Sequence, residues 1–357
     1  MKRLLHFFWF DYNRRENDEN VYEANNSEIQ KWGERLLETR FDVHSTSCVT
    51  QGRVTRSPSD VLLGHPTWDP QYRTPTVLGR SVRNWVLDNR LDDGAAAHPN
   101  TYLLMPWLPH IPLEWEQSFP YYDSQLDAAK LVFGICGRIW YDATLKLDDT
   151  TAAGRARKKL VRLDMCVNAD ALQPVKRAYN PLGRRSVLHV SNLGTSKGFD
   201  LLLESTRDVT VPSVASLQLE KQPKGRVTVS AHGKDHVINN LGYLNNTDHE
   251  RMRTVIEQHD FYLHTSSMDA QATTILEFGA RGLVPILTRE SGFESEHAIY
   301  LTQYADRNRE IIREALRMPE DELRHRSERI RAEIRAKHSW RAFYDTIAEH
   351  IERTCEH

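Results

Sequence analysis

The chain is patterned as short apolar runs that alternate with longer segments in which apolar residues recur every three or four positions. The apolar runs include residues 102–105, 131–135, 186–190 and 261–263. Runs of this length are typical of buried β-strands, whereas the longer spacing is typical of amphipathic helices. Buried strands that alternate with helices predict an α/β fold with mainly parallel sheets.

The segment 261–294 is the clearest strand–loop–helix–strand unit of the chain. Its apolar strand leads into a small polar loop, and the helix that follows ends at Gly282, where a left-handed residue is favoured. Residues 284–287 form the next predicted strand. Asp269 falls in the loop and Glu277 in the helix, so one βαβ unit carries two carboxylates. We expect this unit to hold a polar, hydroxyl-rich ligand.

A change in composition between residues 146 and 185 divides the chain into two alternating halves. This region contains a Pro/Gly/Arg-rich passage, which is typical of a linker. A chain of 357 residues also exceeds what one hydrophobic core usually supports. We predict a Rossmann-like domain at 1–175, a second one at 176–338 and a terminal helix at 339–357. Two doubly wound sheets that face each other would form a cleft at the carboxyl ends of their strands.

Composition and charge exclude several classes of protein. The net charge of −2 argues against a general nucleic-acid binder. The four cysteines are scattered without a CxxC pair, so neither a zinc site nor a disulfide framework is indicated. The aromatic N-terminus is better interpreted as a first strand than as a secretory signal, and no apolar stretch is long enough to span a membrane. We expect a cytosolic protein.

Two loops that precede helices predict binding sites for an anion. Lys197 lies in VSNLGTSKGFDLLL, where backbone amides from Gly194 onward and a helix N-terminus would attract a phosphate. The start of the helix at Ala272, Thr273 and Thr274 offers a second site. Two such sites on one cleft would suit a diphosphate. The alternative for Lys197 is a solvated loop lysine.

The two carboxylates match the hydroxyl groups of a sugar. Glu277 can accept two hydrogen bonds side by side, which fits a vicinal diol such as a ribose, and Asp269 could accept hydrogen bonds at the mouth of the loop. The alternative for Glu277 is a surface position on a helix. The alternative for Asp269 is a cap of the following helix.

In the first half, two histidines and a tryptophan follow predicted strands. His65 and His110 could reach the cleft as hydrogen-bond partners or as a general acid or base, and Trp107 could line the site for a sugar ring. Structural roles in the core are the alternative for all three. Paired carboxylates elsewhere lack nearby His or Cys ligands, so we expect no metal site.

Over residues 186–294 the sequence resembles the retaining glycosyltransferases of family 4 (glycosyl transferases group 1). The resemblance rests on VLHVSNLGTSKGFDLLLES, on VINNLGYLNNTDHERM with its Gly242, and on DAQATTILEFGARGLVP. Weaker similarity covers LDAAKLVFGICGRI and the final helix in KHSWRAFYDTI. It implies the GT-B fold, in which two Rossmann-like domains face a cleft and the last helix crosses back to the first domain.

The resemblance also implies roles for individual residues. Glu277 would bind the nucleotide ribose, Asp269 would contact the donor sugar and Lys197 the diphosphate. Asn192, Gly194 and Gly242 would lie on the donor side, and His110 would lie near the reacting centre. The sequence departs from the family in two places. Asp269 stands where a longer glutamate is usual, and Asn192 replaces an arginine that would clamp a phosphate.

The activity implied is transfer of a sugar from a nucleotide-diphosphate sugar to an acceptor hydroxyl, with retention and without a metal or other cofactor. The acceptor would be a glycan, a lipid-linked sugar or a small molecule of polysaccharide or glycoconjugate biosynthesis. A lipid-linked acceptor would bring peripheral contact with the inner face of the membrane. Two alternatives stay open: a catalytically degenerate protein that binds a nucleotide sugar or glycan, and a sugar-nucleotide epimerase.

Overall fold

The computed structural model describes residues 1–8, 35–47, 57–64, 99–105, 126, 129–150 and 152–355. The chain divides into two compact units. The first comprises Met1–Cys136, Trp140–Leu163 and Trp340–His357, and the second comprises Gly137–Ile139 and Asp164–Ser339. Both units are built on the α/β pattern that the sequence predicts.

The first unit contains a six-stranded sheet among the described residues. Its strands lie in the order β2-β1-β3-β4-β5-β6, and every pair is parallel. The strands are β1 (Arg3–Phe8), β2 (Asp42–Ser47), β3 (Val61–Gly64), β4 (Thr101–Met105), β5 (Leu131–Ile135) and β6 (Leu160–Leu163). Strands β3 and β4 are buried along their whole length, as expected for a parallel sheet covered on both faces.

Helices of the first unit follow β5 and close the chain. They are α1 (Arg138–Leu145), whose first residues belong to the second unit, and α2 (Ala152–Ala156). The last helix of the chain contacts the sheet of this unit. Tyr102 on β4 hydrogen-bonds with Thr354 near that helix's end at 3.0 Å, and Arg40 forms a two-pronged ion pair with Glu352.

The second unit contains a seven-stranded sheet with the order β13-β12-β11-β7-β8-β10-β9. Its strands are β7 (Val187–Val190), β8 (Ser213–Ala215), β9 (Gly225–Ala231), β10 (Lys234–Gly242), β11 (Phe261–His264), β12 (Val284–Leu287) and β13 (Ile299–Tyr300). All pairs are parallel except β9 with β10. These two strands form a hairpin because His232 and Gly233 both take positive φ, as a tight two-residue turn requires.

Helices flank this second sheet and complete its core. They are α3 (Phe199–Thr206), α4 (His249–Gln258), α5 (Thr273–Ala280), α6 (Ala305–Leu316) and α7 (Glu320–Lys337). The terminal helix α8 (Trp340–Thr354) belongs to the first unit. Apolar side chains of β7, β11, β12 and α5 form one buried cluster, which includes Leu188, Phe261, Ile275, Leu276 and Ile286. Gly282 follows α5 with φ +96°, as the sequence predicts for a helix end.

Among the residues that the structure describes, no helix combines the length and apolar character needed to cross a bilayer.

Candidate functional site

Two loops of the second unit meet at the carboxyl edge of its sheet. One leads from β7 through a short 3₁₀ turn (Thr195–Lys197) to α3, and the other leads from β11 to α5. Since β7 and β11 are adjacent and parallel, both loops leave the sheet at the same edge. Gly198 has φ +67°, and a Cβ there would lie 1.9 Å from the carbonyl oxygen of Thr265. Only glycine therefore lets the two loops come this close.

Lys197 and Asp269 are brought together by this contact between loops. Lys197 Nζ lies 2.5 Å from Asp269 Oδ2, and the two side chains are 24% and 15% exposed. The alternative in which Asp269 caps the following helix is wrong, because the N-cap of α5 is Ala272 and Asp269 turns to Lys197 instead. The lysine is not a freely solvated loop residue either.

A second partner reaches Asp269 from strand β11. His264, the last residue of β11, is 1% exposed and places its Nε2 3.4 Å from Asp269 Oδ2. Burial by itself would raise the pKa of Asp269. The hydrogen bonds and charges of His264 and Lys197 outweigh it, so the pKa of Asp269 lies below its ordinary value. The group is therefore a carboxylate at neutral pH.

His264 belongs to a column of stacked rings. Its ring centroid lies 6.0 Å from that of His189 on β7 and 6.0 Å from that of Tyr262, and Tyr262 in turn stacks at 4.9 Å on Phe278 of α5. His189 Nδ1 donates a hydrogen bond to the carbonyl oxygen of Leu263 at 2.9 Å, and its buried Nε2 has no hydrogen-bond partner among the described residues. Burial, together with the neighbouring His264, lowers the pKa of His189 to about 3, so this ring is neutral.

Glu277 stands in the second turn of α5, beside Asn246. Asn246 Nδ2 donates a hydrogen bond to Glu277 Oε1 at 3.2 Å. Burial is the main cause that raises the pKa of Tyr262, and the negative charges of Glu277 and Asp269 add to it. Both carboxylates therefore lie near the Tyr262 hydroxyl group, which itself contacts Thr274 Oγ1 at 2.7 Å.

The other predicted donor-side residues have local roles in these loops. Asn192 Oδ1 accepts a hydrogen bond from the Gly194 amide at 3.1 Å, so that amide is already satisfied. Gly242 ends β10 with φ +68° and donates its amide to Asn240 Oδ1 at 2.8 Å.

The three residues at the start of α5 differ in what their amides can offer an anion. The Ala272 amide donates to the carbonyl oxygen of Ser291 at 3.1 Å and is occupied. Thr273 and Thr274 are the first two residues of the helix, where backbone amides have no intrahelical acceptor. Their donor-binding roles, like those of Asn192, Gly194 and Gly242, stay predictions.

His65, Trp107 and His110, predicted from the first half of the sequence, lie outside the described residues.

A cavity of about 810 Å³ in the second unit lies apart from these side chains. It is lined by residues 173–180 and by one face of α4, and none of Lys197, Asp269 and Glu277 contributes to it. Its floor is a structural ion pair, in which Lys176 Nζ lies 3.3 Å from Asp260 Oδ1 and both side chains are almost completely buried. Size alone does not make this cavity the functional site, because the side chains that the sequence predicts for ligand binding do not line it.

Three side chains that could bind a metal ion also approach one another in the second unit. Atoms of Glu296, His297 and Glu333 lie within 4.8 Å of one another. Glu296 is 80% exposed, and acidic groups on protein surfaces are commonly this close without an ion. This proximity alone does not establish a metal site.

Sequence reasoning missed His264 and Asn246. The signal for His264 was present, because it directly follows the apolar run 261–263. Asn246 had no such signal, since its contact with Glu277 spans 31 positions and depends on how the loop after β10 folds.

No protein-family model matches the sequence. No curated protein matches it either.

Solved structures do match the whole fold. The chain is similar to an α,α-trehalose 6-phosphate synthase from Burkholderia multivorans, with a TM-score of 0.62, 13% identity and coverage of 99% of each chain. It is also similar to a glycosyltransferase from Rickettsia africae (TM-score 0.61, 11% identity, 99% of this chain and 98% of that one). A sucrose-phosphate synthase from Thermosynechococcus elongatus gives a TM-score of 0.58 at 13% identity, with 99% of each chain covered. At such low identity the likeness concerns architecture: the chain has the GT-B fold, with two Rossmann-like domains.

Proposed function

We propose that the protein is a glycosyltransferase that moves a sugar from a nucleotide-diphosphate sugar to an acceptor hydroxyl. The observation that carries the proposal is the pairing of Lys197 with Asp269 at the carboxyl edge of the second sheet. In doubly wound folds this edge is where ligands bind. A cation for the diphosphate and an acid for the sugar therefore lie together, and a further acid, Glu277, lies in the helix that follows the Asp269 loop.

Each residue has a role that follows from its chemistry. The Lys197 ammonium and the amides at the start of α5 would stabilise the negative charge that develops on the departing diphosphate. Asp269, held as a carboxylate, would accept hydrogen bonds from hydroxyls of the transferred sugar. Glu277 would accept hydrogen bonds from both hydroxyls of the ribose, and the hydrogen bond from Asn246 would orient its carboxylate.

The transfer would proceed with retention at the anomeric carbon and without a metal or cofactor. The bond from the anomeric carbon to the diphosphate breaks as the bond to the acceptor oxygen forms. The leaving phosphate oxygen takes the proton of the acceptor hydroxyl, so a separate base is not required. His110 is proposed to lie near this centre because of the family resemblance.

A sugar or glycan is the acceptor class that we propose. Two of the similar structures are named as synthases of sugar phosphates, trehalose 6-phosphate and sucrose phosphate, in which a sugar accepts a sugar. A lipid-linked sugar at a membrane surface is an alternative acceptor for this chain.

Binding and transfer can be tested separately. We expect UDP or GDP to raise the melting temperature of the wild-type protein, since a ligand that binds only the folded state stabilises it by mass action. Glu277→Gln should weaken this binding about 10- to 100-fold, because it replaces hydrogen bonds to a charged group by weaker ones. Glu250→Gln, on the exposed face of α4, is the matched control. No stabilisation by either nucleotide would contradict the donor site.

Catalysis is then measured with a panel of nucleotide sugars and sugar acceptors. We expect transfer by the wild type and a decreased rate for Glu277→Gln. A catalytically degenerate binding protein is the second candidate, because Asn192 uses its side-chain oxygen on Gly194 and supplies no phosphate clamp. Binding without either transfer or donor hydrolysis would favour that candidate. Conversion of the donor sugar without any acceptor would indicate an epimerase instead.

A further inference from the structure

Asp269 has two partners that differ in how firmly they are held. Lys197 approaches from a surface loop, and a lysine ammonium is a point charge on a flexible four-carbon stem. His264 approaches from the end of β11 and is 1% exposed. One partner can therefore turn away from Asp269, whereas the other cannot do so without repacking the core.

The ring of His264 is fixed from both sides. The His189 ring stacks on it at 6.0 Å, and so does the Tyr262 ring at 6.0 Å. Tyr262 Oη also lies 3.5 Å from His264 Nδ1. Nδ1 thus faces a tyrosine hydroxyl, and Nε2 is directed at the carboxylate of Asp269. A carboxylate only accepts hydrogen bonds, so Nε2 carries the proton in this contact.

The backbone of Asp269 is held independently of both side chains. Its amide donates to the carbonyl oxygen of Glu290 at 3.0 Å, in the loop that follows β12. With the backbone fixed, the remaining freedom of the short acid is the orientation of its carboxylate. That orientation depends on Lys197 and His264.

A bound diphosphate would compete with Asp269 for Lys197. The ammonium group lies 2.5 Å from the carboxylate in the ligand-free protein, and phosphate oxygens offer a denser negative charge. Once Lys197 turns to the phosphates, Asp269 loses its closest partner. Among the side chains that contact Asp269 in the described part of the chain, His264 is the one that remains.

We propose that His264 is a positioning residue, which keeps the Asp269 carboxylate aimed at the donor sugar after Lys197 has turned to the diphosphate. The proposal rests on the donor site described above and adds a residue to it. His264 itself touches no substrate and acts through Asp269.

Two substitutions separate the hydrogen bond from the ring stack. His264→Gln keeps an N–H donor near the position of Nε2 but removes the ring, and His264→Phe keeps a stacked ring but removes the donor. If the hydrogen bond matters, kcat of His264→Phe falls about 10- to 100-fold, as for loss of a hydrogen bond to a charged group. The donor KM changes less, and kcat of His264→Gln is largely rescued. If the ring serves only to pack in the core, kcat should instead fall more for His264→Gln than for His264→Phe.

A double-mutant cycle tests whether His264 works through Asp269. In an Asp269→Asn background, His264→Phe should lower kcat by less than twofold, because its target has already been removed. Equal losses in both backgrounds would overturn the proposal. An inert wild type would instead overturn the proposed function, and this inference with it, whereas an active wild type with an unaffected His264→Phe variant overturns the inference alone.

A measurement on the unaltered histidine covers the case in which His264→Phe does not fold. The Nε2 proton of His264, observed by NMR, should stay protected from solvent exchange when UDP is added to the wild type, and its signal should shift in Asp269→Asn. Loss of protection on adding UDP, or no shift in Asp269→Asn, would contradict the proposal.

Discussion

Lys197 Nζ lies 2.5 Å from Asp269 Oδ2, although 72 positions separate the two residues in the chain. In the proposed reaction Lys197 contacts the diphosphate and Asp269 contacts the sugar, on either side of the bond that breaks. In the structure the two side chains form an ion pair with each other. A donor must therefore insert its phosphate between partners that are already paired, and this relationship leads to specific expectations.

Lys197→Met should reduce transfer strongly and stability only slightly. The substitution removes a charge that stabilises the departing diphosphate, which typically decreases kcat about 10²- to 10³-fold. Because the ion pair is partly exposed, its loss should lower the free energy of unfolding by about 1 kcal/mol. Steady-state kinetics and urea unfolding measure the two effects.

A paired lysine away from the site provides the control for Lys197→Met. Lys234 lies at the opposite end of β10 from Gly242 and pairs with Glu204 at 3.1 Å, and Lys234→Met should leave kcat unchanged. Equal kcat values for Lys197→Met and the wild type would remove the lysine from the mechanism.

Asp269→Asn should destabilise the protein at neutral pH, and this effect should disappear as the solution becomes acidic. The folded protein holds the pKa of Asp269 below its ordinary value of 3.8, so the carboxylate contributes stability above that pH and loses it as the pH falls through the folded value. The wild type should thus exceed Asp269→Asn in stability at pH 7, and the difference should shrink from about pH 4 downward. Urea unfolding across this range measures it. A constant difference would mean that the carboxylate is not stabilised by its partners.

His189→Asn should flatten the acid side of the stability profile. His189 has a pKa of about 3 when folded and about 6.5 when unfolded, so between these values the unfolded chain binds the extra proton. As the pH falls through this window, the free energy of unfolding of the wild type should decrease by about 1.4 kcal/mol per pH unit from this group alone. Asparagine can still donate to the Leu263 carbonyl oxygen, and it does not titrate. Substitution of His232, which is 68% exposed, controls for the loss of a histidine. An unchanged slope in His189→Asn would show that the ring can be protonated in the folded protein.

Gly198→Ala should destabilise the second unit and weaken donor binding together. Glycine 198 has φ +67°, and the new Cβ would collide with the Thr265 carbonyl oxygen. Strain of this kind costs about 1–3 kcal/mol, and relief requires the Lys197 loop to move away from the Asp269 loop. Gly233→Ala, at a positive φ but with open space around it, separates backbone strain from the collision. Nucleotide affinity that is equally affected in both variants would contradict the role of the loop contact.

The sequence was sufficient to predict the sheets and the pair of loops that carry the candidate site. Buried strands such as β11 and β12 show as apolar runs, and Lys197, Asp269 and Glu277 stand at the loop and helix positions that such runs imply. Local pattern thus places residues at the edge of the sheet. The patterns of 227–231 and 237–241 likewise predict short strands, and the structure contains them as β9 and β10.

Other features depend on contacts that no local pattern contains. The short strands β8 and β13, three and two residues long, are too brief to give a periodic signal. The partners of Asp269 and Glu277 come from residues whose distance depends on the packing of whole loops, as with Asn246. A helix cap and a partner of Lys197 are both roles of Asp269 that the sequence allows. Only the position of Lys197 in the folded protein decides between these two roles.

The hydrogen bonds of residues 164–176, which precede β7, determine where a fragment that contains the second unit can begin. Lys176 binds the foot of α4 through the carbonyl oxygens of Ile256 and Glu257. Further upstream, Asp164 and Met165 both hydrogen-bond to Gln271 in the loop that carries Asp269. A recombinant fragment that starts at residue 176 would therefore lack the two hydrogen bonds that hold the loop carrying Asp269. A fragment that spans 164–339 keeps these two hydrogen bonds. It is shorter than the full chain, and nucleotide binding should be measured with it.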